Sequence, residues 1–356
     1  MQASHLRSSG SGKKAGKIII RILCVILVTL LLLCGFLYSV MFLLCKGPSE
    51  TARNLFVRSV RETSAIGFLA DLYLSEAEIA EIEHAAEAVL EETDTSLVTV
   101  KAEKEPVSGH YTDDWGYTDD DDDGLILVPV PGSTYTGYMM IVLDPSRVVL
   151  GCSPDSLAIR GYTVAEYVEM FDAVAGINGG GFEDPNGQGN GSMPNSAIVS
   201  GSTVYCQGQG IGAGFVGIDE NDILQVGFSS VTELTDRKIR DGAGYGPVLV
   251  VNGDTVEEDL LNSGLNPRTA IGQRSDGAIL LLVIDGRQPN SLGATYADEA
   301  EIMIRFGAVN ACNLDGGSSS LLWFNGEYVN NCASVIGIRP IPTSFVVLKE
   351  GKAHAE

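Results

Sequence analysis

The chain has 356 residues, 45% of them apolar, which suffices for two domains or for one large domain with appendages. Its formal net charge is −23, and because residues 1–45 hold five basic residues and no acidic one, the remainder carries −28. Such a surface repels the phosphate backbone of DNA and RNA, so nucleic acid is excluded as an expected partner.

The first element in the chain is an apolar run near the N-terminus. Residues 18–44 are apolar apart from Arg21, and the 23 residues from Ile22 onward carry no charge, which is long enough for a helix to span a bilayer. The run is longer than the apolar core of a cleavable signal peptide. The residues at its C-terminal end, Leu43-Leu44-Cys45-Lys46, do not resemble a small-residue cleavage site. Together with the basic residues before it, this predicts a cytoplasmic tail (1–17), an uncleaved single-pass anchor (18–45) in the cell membrane and an extracellular body.

The next segment, residues 46–123, is predicted to be a stalk with one amphipathic helix and an acidic linker. Ser75 and Glu78 form the capping-box pattern of a helix start. The apolar residues that follow recur at helical spacing and fall on one face: Ile79, Ile82, Ala86 and Val89.

The acidic linker contains Asp113, Asp114 and the run from Asp119 to Asp123. It lacks the spaced ligands, central glycine and terminal glutamate of an EF-hand loop. A solvated loop is the favoured interpretation, and a loose Ca²⁺ or Mg²⁺ site is the alternative. The sequence requires no cofactor and identifies no definite metal ligand.

Cysteine chemistry is a weak hypothesis for this chain. Four cysteines lie beyond the apolar run: Cys152, Cys206, Cys312 and Cys332. They could form two disulfides in any of three connectivities, and the absence of a C-x-x-C pair argues against a zinc cluster.

From residue 124 to about 350 the sequence changes to short β-prone runs separated by Gly, Asn and Asp. Capping patterns begin two helices, at Thr163 and at Thr295. The expected strands are Leu125–Val130, Tyr138–Leu143, Val148–Leu150, Ala173–Ile177, Ala197–Val199, Phe215–Ile218, Ile223–Val226, Val248–Val251 and Ile279–Ile284. Many strands and few helices predict an α+β fold with a mixed, mainly β-sheet core, preceded by one N-terminal transmembrane helix.

Four stretches in this body place polar residues where a β-prone run ends. They are Asn178-Gly179-Gly180-Gly181-Phe182, Arg268-Thr269-Ala270, Asp285-Gly286-Arg287 and Asn313-Leu314-Asp315-Gly316-Gly317-Ser318-Ser319-Ser320. Glycines permit a close approach of backbone and ligand, and arginine suits bidentate recognition of phosphate or carboxylate. The glycine stretches match neither a dinucleotide fingerprint nor a phosphate loop. The last stretch reads as a strand, a tight glycine turn and a second strand.

Taken together, the four stretches predict one converging polar pocket. We expect Asn178, Arg268, Asp285 and Asp315 to line it, although they are far apart in sequence. Independent Gly-rich turns, and a structural arginine paired with a buried Asp, are the alternatives.

In their order along the chain, these stretches resemble the phosphodiester glycosidase family. The resemblance runs from about Gly124 to Leu348, and the N-terminal anchor resembles those of bacterial, exopolysaccharide-related members. Two positions depart from the family pattern, which often has Phe where Gly181 stands and a third glycine where Ser318 stands.

The resemblance implies hydrolysis of a sugar-1-phosphodiester to a free sugar and a phosphomonoester, by cleavage of the C1–O bond. Asp285 and Asp315 would serve as base, nucleophile or stabiliser of the oxocarbenium ion, with Arg268 and Arg287 balancing charge on the leaving phosphate. Further substrate-binding positions are Asn178, Gly179, Gly180, Asp184, Thr269, Gly286, Asn313, Gly316, Gly317 and Ser318. The expected partner is a phosphorylated cell-surface or exopolysaccharide-type glycan. A non-enzymatic module that binds an anionic glycan, and a sugar-phosphate transferase, remain alternatives.

Overall fold

A computed structural model of the chain describes most of its residues. The described ranges are 10–61, 66–84, 91–100, 111–185, 189–205, 210–211, 214–334 and 337–352. Ala86 and Val89 of the predicted amphipathic helix, and Cys206, lie outside these ranges.

The helices are few, as the sequence predicts. They are α1 (Gly10–Lys46), α2 (Glu50–Arg61), α3 (Phe68–Asp71), α4 (Glu76–His84), α5 (Pro154–Ala158), α6 (Val164–Met170), α7 (Val231–Asp236) and α8 (Tyr296–Arg305). Short 3₁₀ turns lie at Thr95–Leu97, Pro145–Arg147, Glu258–Leu261 and Gly317–Ser319. The predicted caps at Thr163 and Thr295 are both formed, each side chain accepting a hydrogen bond from the third residue of its helix.

Strands make up most of the body. They are β1 (Tyr111–Thr112), β2 (Thr118–Asp119), β3 (Leu125–Pro131), β4 (Thr136–Val142), β5 (Val148–Gly151), β6 (Ala173–Asn178), β7 (Ile198–Ser200), β8 (Thr203–Tyr205), β9 (Phe215–Asp219), β10 (Leu224–Gln225), β11 (Ile239–Gly244), β12 (Val248–Val251), β13 (Asp254–Thr255), β14 (Arg268–Arg274), β15 (Ile279–Ile284), β16 (Ala308–Asn313), β17 (Leu322–Phe324), β18 (Glu327–Tyr328) and β19 (Ser344–Leu348). The α+β, sheet-rich fold class is confirmed.

The strands form three large sheets around one core. A seven-stranded sheet has the order β13-β12-β16-β14-β15-β4-β3, a second sheet the order β18-β17-β6-β19-β5, and a third the order β10-β9-β11-β7-β8. All three contribute to the main apolar cluster, for example through Leu281, Ile177 and Val216. Helix α8 covers the other face of the seven-stranded sheet, and α6 covers the second sheet.

The direction of the strands differs from the expected mixed sheet. Every strand pair in the described part of the chain is antiparallel. Parallel neighbours need long crossover connections, usually helical, and this body has few helices to supply them.

The packed body begins earlier than the predicted boundary at residue 124. In the β1–β2 hairpin, Asp113 accepts a hydrogen bond from the buried Arg274 at 2.6 Å, and Trp115 lies against the same guanidinium group. Tyr117 stacks on Phe306 at the end of α8. Part of the predicted stalk therefore belongs to the body.

The N-terminal helix α1 is long and apolar enough to cross a membrane. From Gly16 to Lys46 its most apolar window has a mean hydropathy of 3.0 and is not covered by other parts of the protein. A membrane anchor and a signal sequence both have these properties. Helices α2, α3 and α4 pack together below it around Val57 and Ile79.

Candidate active site

The ends of four strands meet at one edge of the molecule. In the seven-stranded sheet Arg268 pairs with Ile284, and Ala270 pairs with Asn313, so the start of β14 lies beside the ends of β15 and β16. Strand β6 of the second sheet ends beside them at Asn178. The predicted convergence of the four stretches is therefore present at the level of the backbone.

The side chain of Asn178 joins the two sheets at this edge. Its Oδ1 accepts hydrogen bonds from Thr269 Oγ1 at 2.8 Å and from the Leu321 backbone N–H at 3.2 Å. Its Nδ2 donates to the backbone carbonyl of Asp315 at 2.5 Å. Asn178 and Thr269 are completely buried, so they position the site rather than face solvent.

The glycines after Asn178 approach backbone of the protein itself. Gly179 N–H and Gly180 N–H donate to the carbonyl and hydroxyl oxygens of Thr343, and Asp315 N–H donates to Gly179 O at 3.1 Å. A Cβ atom on Gly180 would lie 2.8 Å from Gly244 O. Gly179 and Gly180 are buried, so their role is to allow tight packing beneath Asp315.

Asp315 is the predicted catalytic residue at the centre of this arrangement. It is half-buried on the turn between β16 and β17. Burial raises the pKa of its carboxyl from 3.8 to about 6, and the negative charge of Asp184 acts in the same direction. Hydrogen bonds from Ser319 and Gly316 and the charge of Arg339 oppose that rise in pKa. A carboxyl with a pKa near 6 can exchange protons at neutral pH.

Arg339 is a site residue that the sequence reasoning missed. Its Nη1 donates to Asp184 Oδ2 at 2.7 Å and to Ser318 Oγ at 3.2 Å. Its guanidinium group lies 4.8 Å from the centre of the Phe182 ring. Its Nη2 is buried and has no hydrogen-bond acceptor within the described ranges. The sequence feature that could have indicated Arg339 is its position as the single charged residue in the otherwise apolar segment 336–342.

Arg287 is a second arginine beside the same turn. Its backbone is left-handed, with φ of 57°, and its Nη2 donates to Asn266 Oδ1 at 3.0 Å. The exposed guanidinium group lies 3.4 Å from the position that a Cβ atom on Gly317 would occupy. Arg287 and Arg339 therefore both lie beside the Gly317-Ser318 turn, an arrangement suited to an anion.

Asp285 supports the turn through a neighbouring loop. Its carboxylate accepts hydrogen bonds from Asn330 Nδ2 and Asn331 N–H, both at 3.0 Å, and from Asn331 Nδ2 at 3.3 Å. Asn330 also donates to Ser320 O. Asp285 is only 4% exposed, and the adjacent Gly286 is packed against Pro267. Through these contacts Asp285 stabilises the loop that carries Asp315.

Arg268 does not join the predicted pocket. Neighbouring residues of a strand point to opposite faces of the sheet, and while Thr269 points to Asn178, Arg268 points to the face covered by α8. There its guanidinium group donates to Ala294 O and Gly264 O and lies 3.9 Å from the Tyr296 ring centre. The prediction that Arg268 lines one pocket with Asn178, Asp285 and Asp315 is therefore wrong.

Asn313 is likewise buried. Its Nδ2 donates to Gly246 O at 2.5 Å, and its Oδ1 is covered with no donor among the described residues. The predicted site residues thus divide into buried supports and an accessible set. The accessible or half-buried ones are Asp184, Arg287, Asp315, Gly316, Gly317 and Ser318.

Among the described residues of the body, no cysteine is paired in a disulfide. Cys152, Cys312 and Cys332 are free thiols, and burial raises the pKa of Cys312 far above neutrality. In the described residues, a group of three acidic side chains close enough together to share a metal ion lies in the loop 119–123.

A comparison with protein families matches residues 171–348, half of the chain, to a family described as phosphodiester glycosidase. The match begins just before β6 and ends with β19, so it contains every strand end described above. The chain belongs to the phosphodiester glycosidase family.

Individual relatives agree with this assignment. The bovine N-acetylglucosamine-1-phosphodiester alpha-N-acetylglucosaminidase is 29% identical over 57% of this chain and 39% of its own length, and the human protein of the same name is 26% identical over 53% and 40%. The SPbeta prophage-derived uncharacterized protein YomE of Bacillus subtilis strain 168 is 44% identical over 71 residues, which are 20% of this chain and 11% of that protein. The chain spans less than half the length of these curated relatives.

A solved structure shares the fold. The zebrafish N-acetylglucosamine-1-phosphodiester alpha-N-acetylglucosaminidase catalytic domain, auto-inhibited by its pro-peptide, superimposes with a TM-score of 0.55 at 18% identity, covering 71% of this chain and 87% of that domain. The phosphodiester glycosidase resemblance expected from the sequence is therefore confirmed at the level of family and fold.

The raised pKa of Asp315 predicts a pH-dependent stability effect. Because the folded-state pKa of about 6 exceeds the ordinary value of 3.8, the stabilising contribution is full below pH 3.8 and is lost as the pH rises through 6. Asp315→Asn should therefore raise the free energy of unfolding by about 1–3 kcal/mol at pH 8 and leave it nearly unchanged at pH 4. Urea unfolding followed by tryptophan fluorescence measures both values.

Asp285→Asn is the matched control, since it changes a carboxylate that already accepts three N–H groups. It should lower stability at pH 8. A gain for Asp315→Asn of the same size at both pH values would contradict the assigned pKa.

Proposed function

We propose that this family member hydrolyses a sugar-1-phosphodiester, on a cell-surface or exopolysaccharide-type glycan, to a free sugar and a phosphomonoester. The observation that supports this most directly is Asp315, a half-buried carboxyl with a pKa of about 6 on a turn that lies beside two guanidinium groups. The names of the bovine and human relatives, which specify an N-acetylglucosamine-1-phosphodiester, support the substrate class.

The leaving group explains why arginines can do the work of a general acid. A phosphomonoester departs readily when its charge is balanced, and preorganised cations stabilise charge that develops in the transition state. Arg339 and Arg287 are the cations beside Gly317 and Ser318, and Arg339 Nη2 has no acceptor inside the protein's described part. We assign the leaving phosphate to these two arginines, with Arg339 in the place first expected for Arg268.

The carboxylates take different roles in this proposal. Asp315 removes the proton from the water that attacks C1, because at neutral pH most of it is ionised and its pKa is close to the working pH. Asp184 fixes the orientation of Arg339 through their 2.7 Å ion pair. Asp285 positions the turn through Asn330 and does not contact the substrate.

Turnover tests the proposal. The full chain, purified in non-ionic detergent, should release free sugar from a UDP-linked or p-nitrophenyl-phosphate-linked N-acetylglucosamine. Asp315→Asn should lower kcat by about 10²–10⁴-fold. Arg339→Ala should lower kcat/KM strongly, whereas Arg160→Ala changes an exposed arginine outside the site and should leave kcat/KM unaltered.

Two results would reject hydrolysis. Tight binding of the sugar phosphate without turnover would indicate a glycan-binding module. Appearance of the sugar on an added acceptor, with none released to water, would indicate a transferase.

The bond that breaks is a separate prediction. Water attack at C1 places solvent oxygen in the sugar, whereas attack at phosphorus places it in the phosphomonoester. Hydrolysis in ¹⁸O-labelled water, analysed by mass spectrometry before the sugar oxygen exchanges, should give labelled sugar. Label in the phosphomonoester would overturn the assignment of Arg287 and Arg339 to the leaving group.

We also propose that α1 anchors the protein in the cell membrane with the body outside. Its apolar length and its exposed surface support an anchor, and the basic residues before it favour a cytoplasmic N-terminus. N-terminal sequencing of the protein extracted from membranes should find the segment before residue 18 intact. A mature N-terminus beyond Leu44 would show that α1 is a cleaved signal sequence.

A further inference from the structure

The acidic loop between β2 and β3 brings three carboxylates together. One oxygen from each of Asp119, Asp121 and Asp123 lies within 4.8 Å of the other two. Asp121 is exposed, Asp123 is half-buried and Asp119 is buried. Exposed acidic clusters are common on protein surfaces, so proximity alone does not identify a ligand.

Asp119 supplies a second and independent observation. Its side chain is only 3% exposed, its Oδ2 accepts the Gly124 N–H at 2.8 Å, and its Oδ1 is buried with no hydrogen-bond donor anywhere in the described ranges. A buried carboxylate oxygen without a partner is costly. Oδ1 is therefore the oxygen of Asp119 that is available to bind a ligand.

The electrostatic surroundings increase that cost. The negative charges of Asp121 and Asp122 act on the carboxylate of Asp119 and oppose its own charge. Arg147 is the nearby cation, and its Nη1 donates to the backbone carbonyl of Asp123 at 2.7 Å. One positive charge faces several carboxylates. A divalent cation would reduce the repulsion between these carboxylates and would supply a partner for Asp119 Oδ1.

From these observations we propose that the loop from Asp119 to Gly124 is a Ca²⁺ site, with Asp119, Asp121 and Asp123 as its side-chain ligands. Two oxygens bound to one ion lie at most twice the metal–oxygen distance apart, about 4.6–5.2 Å for Ca²⁺ and about 4.0–4.2 Å for Mg²⁺. The oxygens of the cluster lie within 4.8 Å of one another, a separation that one Ca²⁺ ion can bridge. Three carboxylates on one loop favour Ca²⁺, because Mg²⁺ usually keeps several waters and binds one or two carboxylates. Backbone carbonyls and water commonly complete such a shell.

The role of the site is structural, because it lies far from Asp315. In β4, Val142 pairs with Leu125 next to the acidic loop, whereas Gly137 pairs with Ile284 next to the candidate active site. Five residue steps along a strand are about 17 Å. Arg147, which holds the loop at Asp123, also donates to Leu348 O at the end of β19. A bound ion would thus fasten β3 to the second sheet.

Calorimetric titration of the full chain in non-ionic detergent, after treatment with EGTA, tests the proposal. CaCl₂ should bind with one site and a Kd on the order of 10⁻⁴–10⁻³ M, as in extracellular Ca²⁺ modules, and MgCl₂ should bind more weakly. Saturating Ca²⁺ should raise Tm by about 2–4 °C. Asp121→Asn changes an exposed side chain, so it should fold, and it should weaken Ca²⁺ binding at least tenfold.

Asp120→Asn is the matched control, since it removes one exposed charge from the same loop without removing a ligand. It should retain the wild-type affinity. Equal losses for Asp120→Asn and Asp121→Asn would show general attraction of cations to an acidic surface and overturn the site. Absence of Ca²⁺ binding up to 10-fold above the expected range, about 10⁻² M, would also overturn it.

Discussion

The arrangement of the site depends on the buried amide of Asn178. It is the point where the second sheet is hydrogen-bonded to β14 through Thr269 and to the turn through Asp315 O and Leu321 N. An amide offers both donors and acceptors, so one side chain satisfies three groups from two chain segments that lie far from it in sequence. In a low-dielectric interior, loss of such a group would leave several buried partners unsatisfied. The position of Asp315 is therefore a property of the contact between the sheets and not of its own loop.

Anion binding at this turn has to overcome the charge of the whole molecule. The chain beyond residue 45 carries −28, which opposes the approach of a phosphorylated substrate at long range. Screening at physiological ionic strength confines that field to about 8 Å, so binding depends on the groups at the turn itself, including Arg287 and Arg339. Association is therefore expected to depend on local contacts, and added salt should weaken the repulsion more than it weakens the partly enclosed Arg339 contact.

The sequence predicted those features that local patterns encode. Thr163 and Thr295 are capping residues whose partners lie three positions away, and both helices start where they were expected. The ends of β6, β15 and β16 were also recognisable because glycine follows a polar residue there. Each expected strand corresponds to an observed one, whereas β8, β11 and β19 were not predicted.

Features set by tertiary contacts were not predictable in this way. Arg268 and Thr269 are both buried, because β14 is covered on both faces, so alternation of polarity could not indicate which of them points to the site. Arg339 reaches Asp184 across 155 positions from a segment without regular structure. The turn after Asn313 resembled that of a hairpin, yet β16 and β17 belong to different sheets, and only the packing of those sheets determines this.

Gly181 illustrates how the identity of one residue can constrain another. A Cβ atom at this position would lie 2.3 Å from the ring of Tyr245, so the aromatic side chain fills the volume that a larger residue at 181 would need. The two positions compete for the same volume. A larger side chain at 181 should destabilise the fold while Tyr245 is present, and it should be tolerated when Tyr245 is replaced by a small residue. A larger residue at 181 therefore requires either a displacement of the Tyr245 ring or a smaller residue at 245. The effects of substitutions at 181 and 245 are therefore expected to be non-additive.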